Sequence, residues 1–140
     1  MITNAEKEAH LIDPAHGKQT PLIYIAAAYT QPDPVVNTQR ALHIADALLE
    51  AGIIPLIPHL NIIWHLVSPK PYYRWLEYDG HLLVRCDAVL RVPGYSAGAA
   101  LECAFAENRG MAVIHPLSDS PTDCVSAVTD WLSHSRKDLY

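Results

Sequence analysis

Asp79 and Glu102 stand where an apolar core would ordinarily place leucines. Around Asp79 the apolar positions are Trp75, Leu82, Leu83 and Cys86, at i−4, i+3, i+4 and i+7 of a helical repeat. That spacing sets Asp79 inside the buried stripe and not on the solvated face. Glu102 has the same setting in the next helix, with Gly98, Ala99, Phe105 and Ala106 as its same-face neighbours. A carboxylate so placed is costly unless it is paired or put to use. Two of them, joined by one strand, point to a site for acid–base or nucleophilic chemistry.

The elements that must position these groups can be read along the chain. Residues 1–20 are polar and aperiodic and read as a mobile arm or edge cover, and 21–140 as a single domain. Pro21–Tyr29 is a buried strand, ended by the turn-like Thr30–Pro34. Val35–Glu50 is an amphipathic helix that Ala51-Gly52 stops, with Gly52 at the C′ position. A short strand follows over Ile53–Pro58, then an aromatic-rich segment, His59–Tyr73, with a short helix at Asn61–Val67. Trp75–Cys86 is a helix, Ala88–Val92 a strand, Ser96–Arg109 a helix, Met111–His115 a strand and Thr122–Ser133 a final helix. This alternation predicts an α/β, three-layer Rossmann/flavodoxin-like fold: a parallel sheet of four to five strands with helices on both faces. In such sheets ligands bind beyond the carboxyl ends of the strands. The rule gathers Ala27 and Tyr29–Gln31, His59–Asn61 and Gly94–Gly98 around one crevice.

Composition narrows the function classes. The chain has 140 residues, half of them hydrophobic and 18% charged, which suits one globular core. A formal net charge of −5 without a Lys/Arg cluster argues against a nucleic acid polymer as partner. The apolar runs are too short for a membrane span, and the start carries no secretory signal pattern. Cys86, Cys103 and Cys124 are odd in number and lie in or beside apolar segments, so they read as reduced thiols of a cytoplasmic protein. Eight histidines occur, but none has metal-ligand spacing, and H-E-x-x-H and C-x-x-C are absent, so no metal is expected. G-x-S-x-G and G-x-G-x-x-G are absent as well, which disfavours a serine-hydrolase elbow and a dinucleotide fingerprint.

The ordered set of Tyr24 in the first strand, Asp79, Asp87, and Ser96-x-Gly98-x3-Glu102 resembles the nucleoside 2-deoxyribosyltransferase superfamily, including its deoxynucleotide N-glycosidase members. The resemblance runs over roughly Pro21–Leu117. It implies that Glu102 attacks the anomeric carbon, that Asp79 serves the departing or incoming base as acid and base, and that Tyr24 orients the nucleophile. No cofactor is implied. Partners would be nucleosides or nucleotides and free nucleobases. Further copies of the chain would complete the sites of a homo-oligomer, from a region that here holds Ser118, Asp119 and the tail to Tyr140. The chemistry suits these residue types in its own right. Breaking an N-glycosidic bond builds positive charge on the sugar, which a carboxylate can stabilise and then capture. A base leaves more readily when an acid protonates it. The two acids are expected to titrate apart, with Glu102 kept ionised by a nearby phenol and the partner's pKa raised, and to lie about as close as in retaining glycosidases.

Ser96 departs from the transferase pattern, where an aspartate usually meets the sugar 5′-hydroxyl; in serine it resembles the nucleotide-hydrolysing branch. With Gly98 it suits a 5′-phosphate or a 5′-hydroxyl, and it also reads as a plain N-cap. Asp87 reads as a structural aspartate. Trp64, His65, Tyr72, Tyr73 and Trp75 form an aromatic patch from which Trp64 is expected to stack on a base. His59 reads either as a contact to base or sugar or as a loop histidine with a structural hydrogen bond. The transferase reading has three rivals: an N-glycosidase using the same site, a non-catalytic nucleotide-binding module, and an oligomeric scaffold.

Overall fold

The computed structural model describes residues 1–11 and 20–137. In chain order they form α1 (Asn4–Ala9), β1 (Leu22–Ala26), α2 (Pro34–Glu50), β2 (Ile54–Leu56), α3 (Asn61–Val67), α4 (Tyr72–Leu83), β3 (Ala88–Arg91), α5 (Ala97–Asn108), β4 (Ala112–Ile114) and α6 (Pro121–Lys137), with a 3-10 turn at Pro58–Leu60. The sheet has four strands in the order β2-β1-β3-β4, every neighbouring pair parallel. This is the three-layer Rossmann/flavodoxin-like α/β architecture. Its strand order reverses between β1 and β3, and a crevice opens at such a point.

Strand alternation decides what each face receives. From β1, Ile23 and Ile25 enter one core with Leu90 of β3, packed by Ile44 and Leu48 of α2 and Val128 of α6. Tyr24 and Ala26 enter the other with Val89, packed by Leu83 of α4 and by Ala99, Cys103 and Ala106 of α5. Both faces of β1 are covered, which explains its unbroken apolar run.

Local chemistry sets the element ends. The Asp33 carboxylate caps α2 by accepting from the N–H groups of Val35 (2.8 Å) and Val36 (3.2 Å), with Pro34 in the first turn. At the other end Gly52 takes φ +80°, and Ile53 N–H returns to the Leu48 carbonyl at 3.0 Å, as the sequence predicts for a glycine C′. Asp87 is structural: its Oδ2 accepts from Leu22 N–H at 2.7 Å and ties the start of β1 to the chain entering β3. The Asp79 helix starts three residues earlier than expected, at Tyr72, because Pro71 offers an extended entry and nothing in Tyr72-Tyr73-Arg74 opposes helix. The last helix is also longer than the expected Thr122–Ser133.

The first 20 residues are not irregular throughout. Thr3 and Glu6 form a reciprocal capping box, and α1 follows from it without burying a residue. The rest of the expected arm, 12–19, lies outside the described residues. Among the described residues no helix is long and apolar enough to cross a membrane.

Candidate active site

Beyond the carboxyl ends of β1 and β3 lies a cavity of about 530 Å³, in the usual range for small-molecule sites. Its walls come from the loop after β1, the Pro58–Leu60 turn, α3, α4 and the first turns of α5. Asp79 and Glu102 both line it. They arrive from different helices, α4 and α5, on the same sheet face as Tyr24.

Tyr24 is fully buried, and its hydroxyl donates a hydrogen bond to Glu102 Oε2. Burial pushes the Glu102 carboxyl up to about 7; the Tyr24 bond and the Arg91 charge pull down, while the Asp79 charge pushes up. This corrects the expectation that the phenol would hold Glu102 low. The hydrogen bond acts in that direction, but desolvation outweighs it. Asp79 is raised by burial to about 6, less than it would be without the bond it accepts from Asn61 Nδ2 at 2.7 Å. The two carboxyls share one cavity and the Asp79 charge acts on Glu102, so between about pH 6 and 7 the pair carries roughly one proton, held mainly by Glu102. Tyr24 itself is held far above the ordinary phenol range, first by burial and then by the Glu102 and Asp79 charges, so it stays a donor.

The α5 end of the cavity holds Ser96, Ala97 and Gly98. Ser96 is the N-cap: its Oγ accepts from Ala99 N–H at 3.1 Å. The N–H groups of Ala97 and Gly98, in the first turn, have no intrahelical acceptor. A Cβ built on Gly98 would come within 3.2 Å of the Tyr72 hydroxyl, so glycine there lets α4 approach this helix start. Ser96 is thus both cap and cavity wall.

Ala27, Tyr29 and His59 also line the cavity, as the crevice rule expects. His59 is 3% exposed, and its Nε2 donates to the Ala28 carbonyl at 3.0 Å, so it braces the loop after β1 as a structural histidine. Burial lowers its pKa. Trp64 is the misplaced expectation. It is 44% exposed and absent from the cavity wall, packing edge-to-face on Trp75 (5.1 Å) and Tyr78 (5.3 Å). Asn61 and His65, one turn apart on α3, take the inward stripe, and Trp64 sits about 100° around the helix from His65. Tyr72, Trp75 and Tyr95 supply the aromatic wall instead.

Three positioning residues were not singled out from sequence. Asn61 holds Asp79. Asn37, buried on α2, donates from Nδ2 to the carbonyls of Tyr29 (2.9 Å) and Gln31 (2.8 Å) and so shapes the loop after β1. Arg91 donates to the carbonyls of Val92 (2.6 Å) and Gly94 (2.8 Å), shaping the loop into α5 while its charge reaches Glu102. For Asn37 the available signal was an amide on the apolar side of a helix; the strand-end rule placed Asn61 at the crevice without a role, and Arg91 offered no signal until its partners were near. Ser118 and Asp119, expected near a subunit boundary, serve this chain locally. Ser118 Oγ donates to Asp123 Oδ2 at 2.6 Å, and Asp119 lies 3.8 Å from Arg40. The tail beyond Lys137 lies outside the described residues. Among the described residues no group of three His, Cys, Asp or Glu is placed to hold a metal ion.

The site combines a desolvated carboxyl oriented by a phenol, a second carboxyl whose proton is held above the ordinary range, and free amides at a helix start. That set can stabilise and capture a carbon cation while moving a proton to a leaving group. No protein-family model, curated protein or solved structure matches the chain.

Proposed function

We propose that this protein is a nucleoside 2-deoxyribosyltransferase: an enzyme that cleaves the N-glycosidic bond of a 2′-deoxynucleoside and passes the sugar to another nucleobase. The observation that carries this reading is the Tyr24 hydroxyl bonded to Glu102 in the cavity that Asp79 also lines. The phenol occupies one oxygen of the carboxylate, fixes its rotamer and leaves the other oxygen to react.

In the first half-reaction a Glu102 oxygen bonds to C1′ as the C1′–N bond breaks. The bond's electrons pass to the base, and the Asp79 proton goes to a ring nitrogen of that base. A 2-deoxyribosyl ester of Glu102 results. In the second half-reaction a nitrogen of the incoming base bonds to C1′, the ester C–O bond breaks to restore the Glu102 carboxylate, and Asp79 takes up the proton. Tyr24 is the positioning residue for Glu102, and Asn61 the one for Asp79. The chain would work in a homo-oligomer of the kind the family resemblance implies.

Ser96 favours a second reading. At a helix start with unbonded amides, a serine accepts a 5′-phosphate without the repulsion an aspartate would bring. With water in place of the acceptor base, the same site is a nucleoside or 5′-monophosphate N-glycosidase. Chromatography of the purified protein with deoxyinosine plus adenine, and with deoxyinosine or its 5′-monophosphate alone, separates the readings. Deoxyadenosine formed only when adenine is present supports the transferase. Free base released from the monophosphate without an acceptor supports the hydrolase. No product from any mixture would leave a nucleotide-binding module and overturn both.

A further inference from the structure

Two rungs join α3 to α4, one helical turn apart. Asn61 Nδ2 donates to Asp79 Oδ1 at 2.7 Å, and Trp75 Nε1 donates to His65 Nδ1 at 2.9 Å. Asn61 and His65 are i and i+4 on α3, and Trp75 and Asp79 are i and i+4 on α4, so the helices run past each other in opposite directions. Successive rungs are then about 6 Å apart along the axes. All four residues line the cavity.

The His65 rung fixes more than position. Its Nδ1 accepts a second bond, from the Lys70 backbone N–H at 3.2 Å. A nitrogen that accepts two hydrogen bonds carries no proton, so the ring hydrogen is on Nε2. Among the described residues no group hydrogen-bonds to that Nε2–H. The neighbouring Lys70 ammonium and Asn61 amide N–H are themselves donors and cannot satisfy it. Lys70 Nζ bonds Ser68 Oγ at 3.1 Å and lies over the Trp64 ring, while Asn61 spends a donor on Asp79. His65 thus brings a donor of defined tautomer to the cavity wall, one rung from the acid that would protonate the base.

We propose that His65 is a specificity-determining residue that selects 6-oxopurines, such as hypoxanthine and guanine, over 6-aminopurines. The inference rests on the deoxyribosyltransferase or N-glycosidase reading of the site, in which Asp79 serves the base. On the edge of a purine that carries N7, the neighbouring group at C6 is a carbonyl acceptor in guanine and hypoxanthine and an amino donor in adenine. With the Asp79 proton on N7, a fixed N–H beside it is satisfied by a carbonyl. Opposite an amino group, two donors meet and both stay unpaired in a desolvated site.

Calorimetric titration of the purified wild-type protein with hypoxanthine and with adenine tests this, alongside the deoxyinosine assay above. Hypoxanthine is expected to bind at least about tenfold more tightly. His65→Asn keeps an acceptor near the place of Nδ1 but has no donor at Nε2, and should narrow the preference to about twofold or less. His65→Gln brings an amide N–H near the place of Nε2 and should keep most of it; melting curves of both variants report whether the fold is intact. Adenine binding as tightly as hypoxanthine to the wild type would overturn the selection while leaving the site reading standing. A tenfold preference surviving in His65→Asn would overturn the role of His65 alone. Absence of base binding together with absence of deoxynucleoside cleavage would overturn the site reading, and this inference with it.

Discussion

The two faces of the sheet are built from the same strands and end up with opposite characters. Toward α2 and α6, β1 contributes Ile23 and Ile25, and the core there is closed by Ile44, Leu48 and Val128. Toward α4 and α5 the same strand contributes Tyr24 and Ala26; α4 adds Leu83, but the partners from α5 are small: Ala99, Cys103 and Ala106. Branched aliphatic residues fill the first space to the density of a packed interior. On the second face small residues let α5 come close to the sheet while Tyr24 carries a hydroxyl to Glu102. One face is devoted to stability, and the other spends some of it on keeping two carboxyls desolvated.

The sharpest way to break this contrast is Glu102→Gln. Turnover should fall by at least about 10³-fold, as for other covalent nucleophiles, and the melting temperature should hold or rise because a buried carboxylate is gone. A stable variant with normal turnover would sink the mechanism. On the opposite face, Ile44→Ala should lower stability by about 2–5 kcal/mol in denaturant titration, while activity per folded molecule stays near that of the wild type. A comparable loss of activity per folded molecule would mean the faces are not separable.

The pH dependence separates them more finely. The reaction needs Glu102 ionised and Asp79 protonated, which is the less populated arrangement of the shared proton, since their pKa values are raised to about 7 and about 6. The pH profile of kcat/KM should be bell-shaped, with its maximum between those values. Tyr24→Phe removes the hydrogen bond that pulls Glu102 down; because Glu102 already holds its proton to higher pH than Asp79, the descending limb should move to higher pH and the maximum should fall. An unmoved limb would show that Tyr24 only fills space. Stability has the opposite trend to the ascending limb. Both carboxyls hold their protons in the folded state to higher pH than their ordinary values of 3.8 and 4.5, so the folded protein binds more protons between about pH 4 and 7. Their contribution is full below pH 4 and is lost as pH rises through 6 and 7. Melting temperatures across that window should fall less steeply in Glu102→Gln than in the wild type. The smallest effect is expected at Ser96→Ala, about 1 kcal/mol of stability from the lost cap. A loss of affinity for a 5′-monophosphate well beyond that for the nucleoside would assign Ser96 to phosphate as well.

Much of this was legible because it is local. The alternation of apolar runs marked every strand, and Gly52 after a helical stripe marked a helix end. Asp79 and Glu102 stood out because each interrupts a periodic apolar pattern, which is a property of the neighbouring residues alone. Trp64 was misread because an aromatic-rich segment does not reveal which of its rings turn inward. That depends on how α3 rolls against α4, and the Asn61 and His65 rungs set the roll. The short α1 was missed because its signal is a capping box, not a hydrophobic period.

By itself the sequence determined the order and type of the elements and the two carboxyls that do not belong in a core, since propensity and periodicity act over a few residues. Only the tertiary structure decided what those carboxyls experience. Tyr24 reaches Glu102 across 78 positions of chain and Asn61 reaches Asp79 across 18, and the desolvation that raises both acids comes from walls drawn from stretches of chain far apart in sequence. Electrostatic environment is summed over everything nearby in space, and nearness in space is what the fold creates.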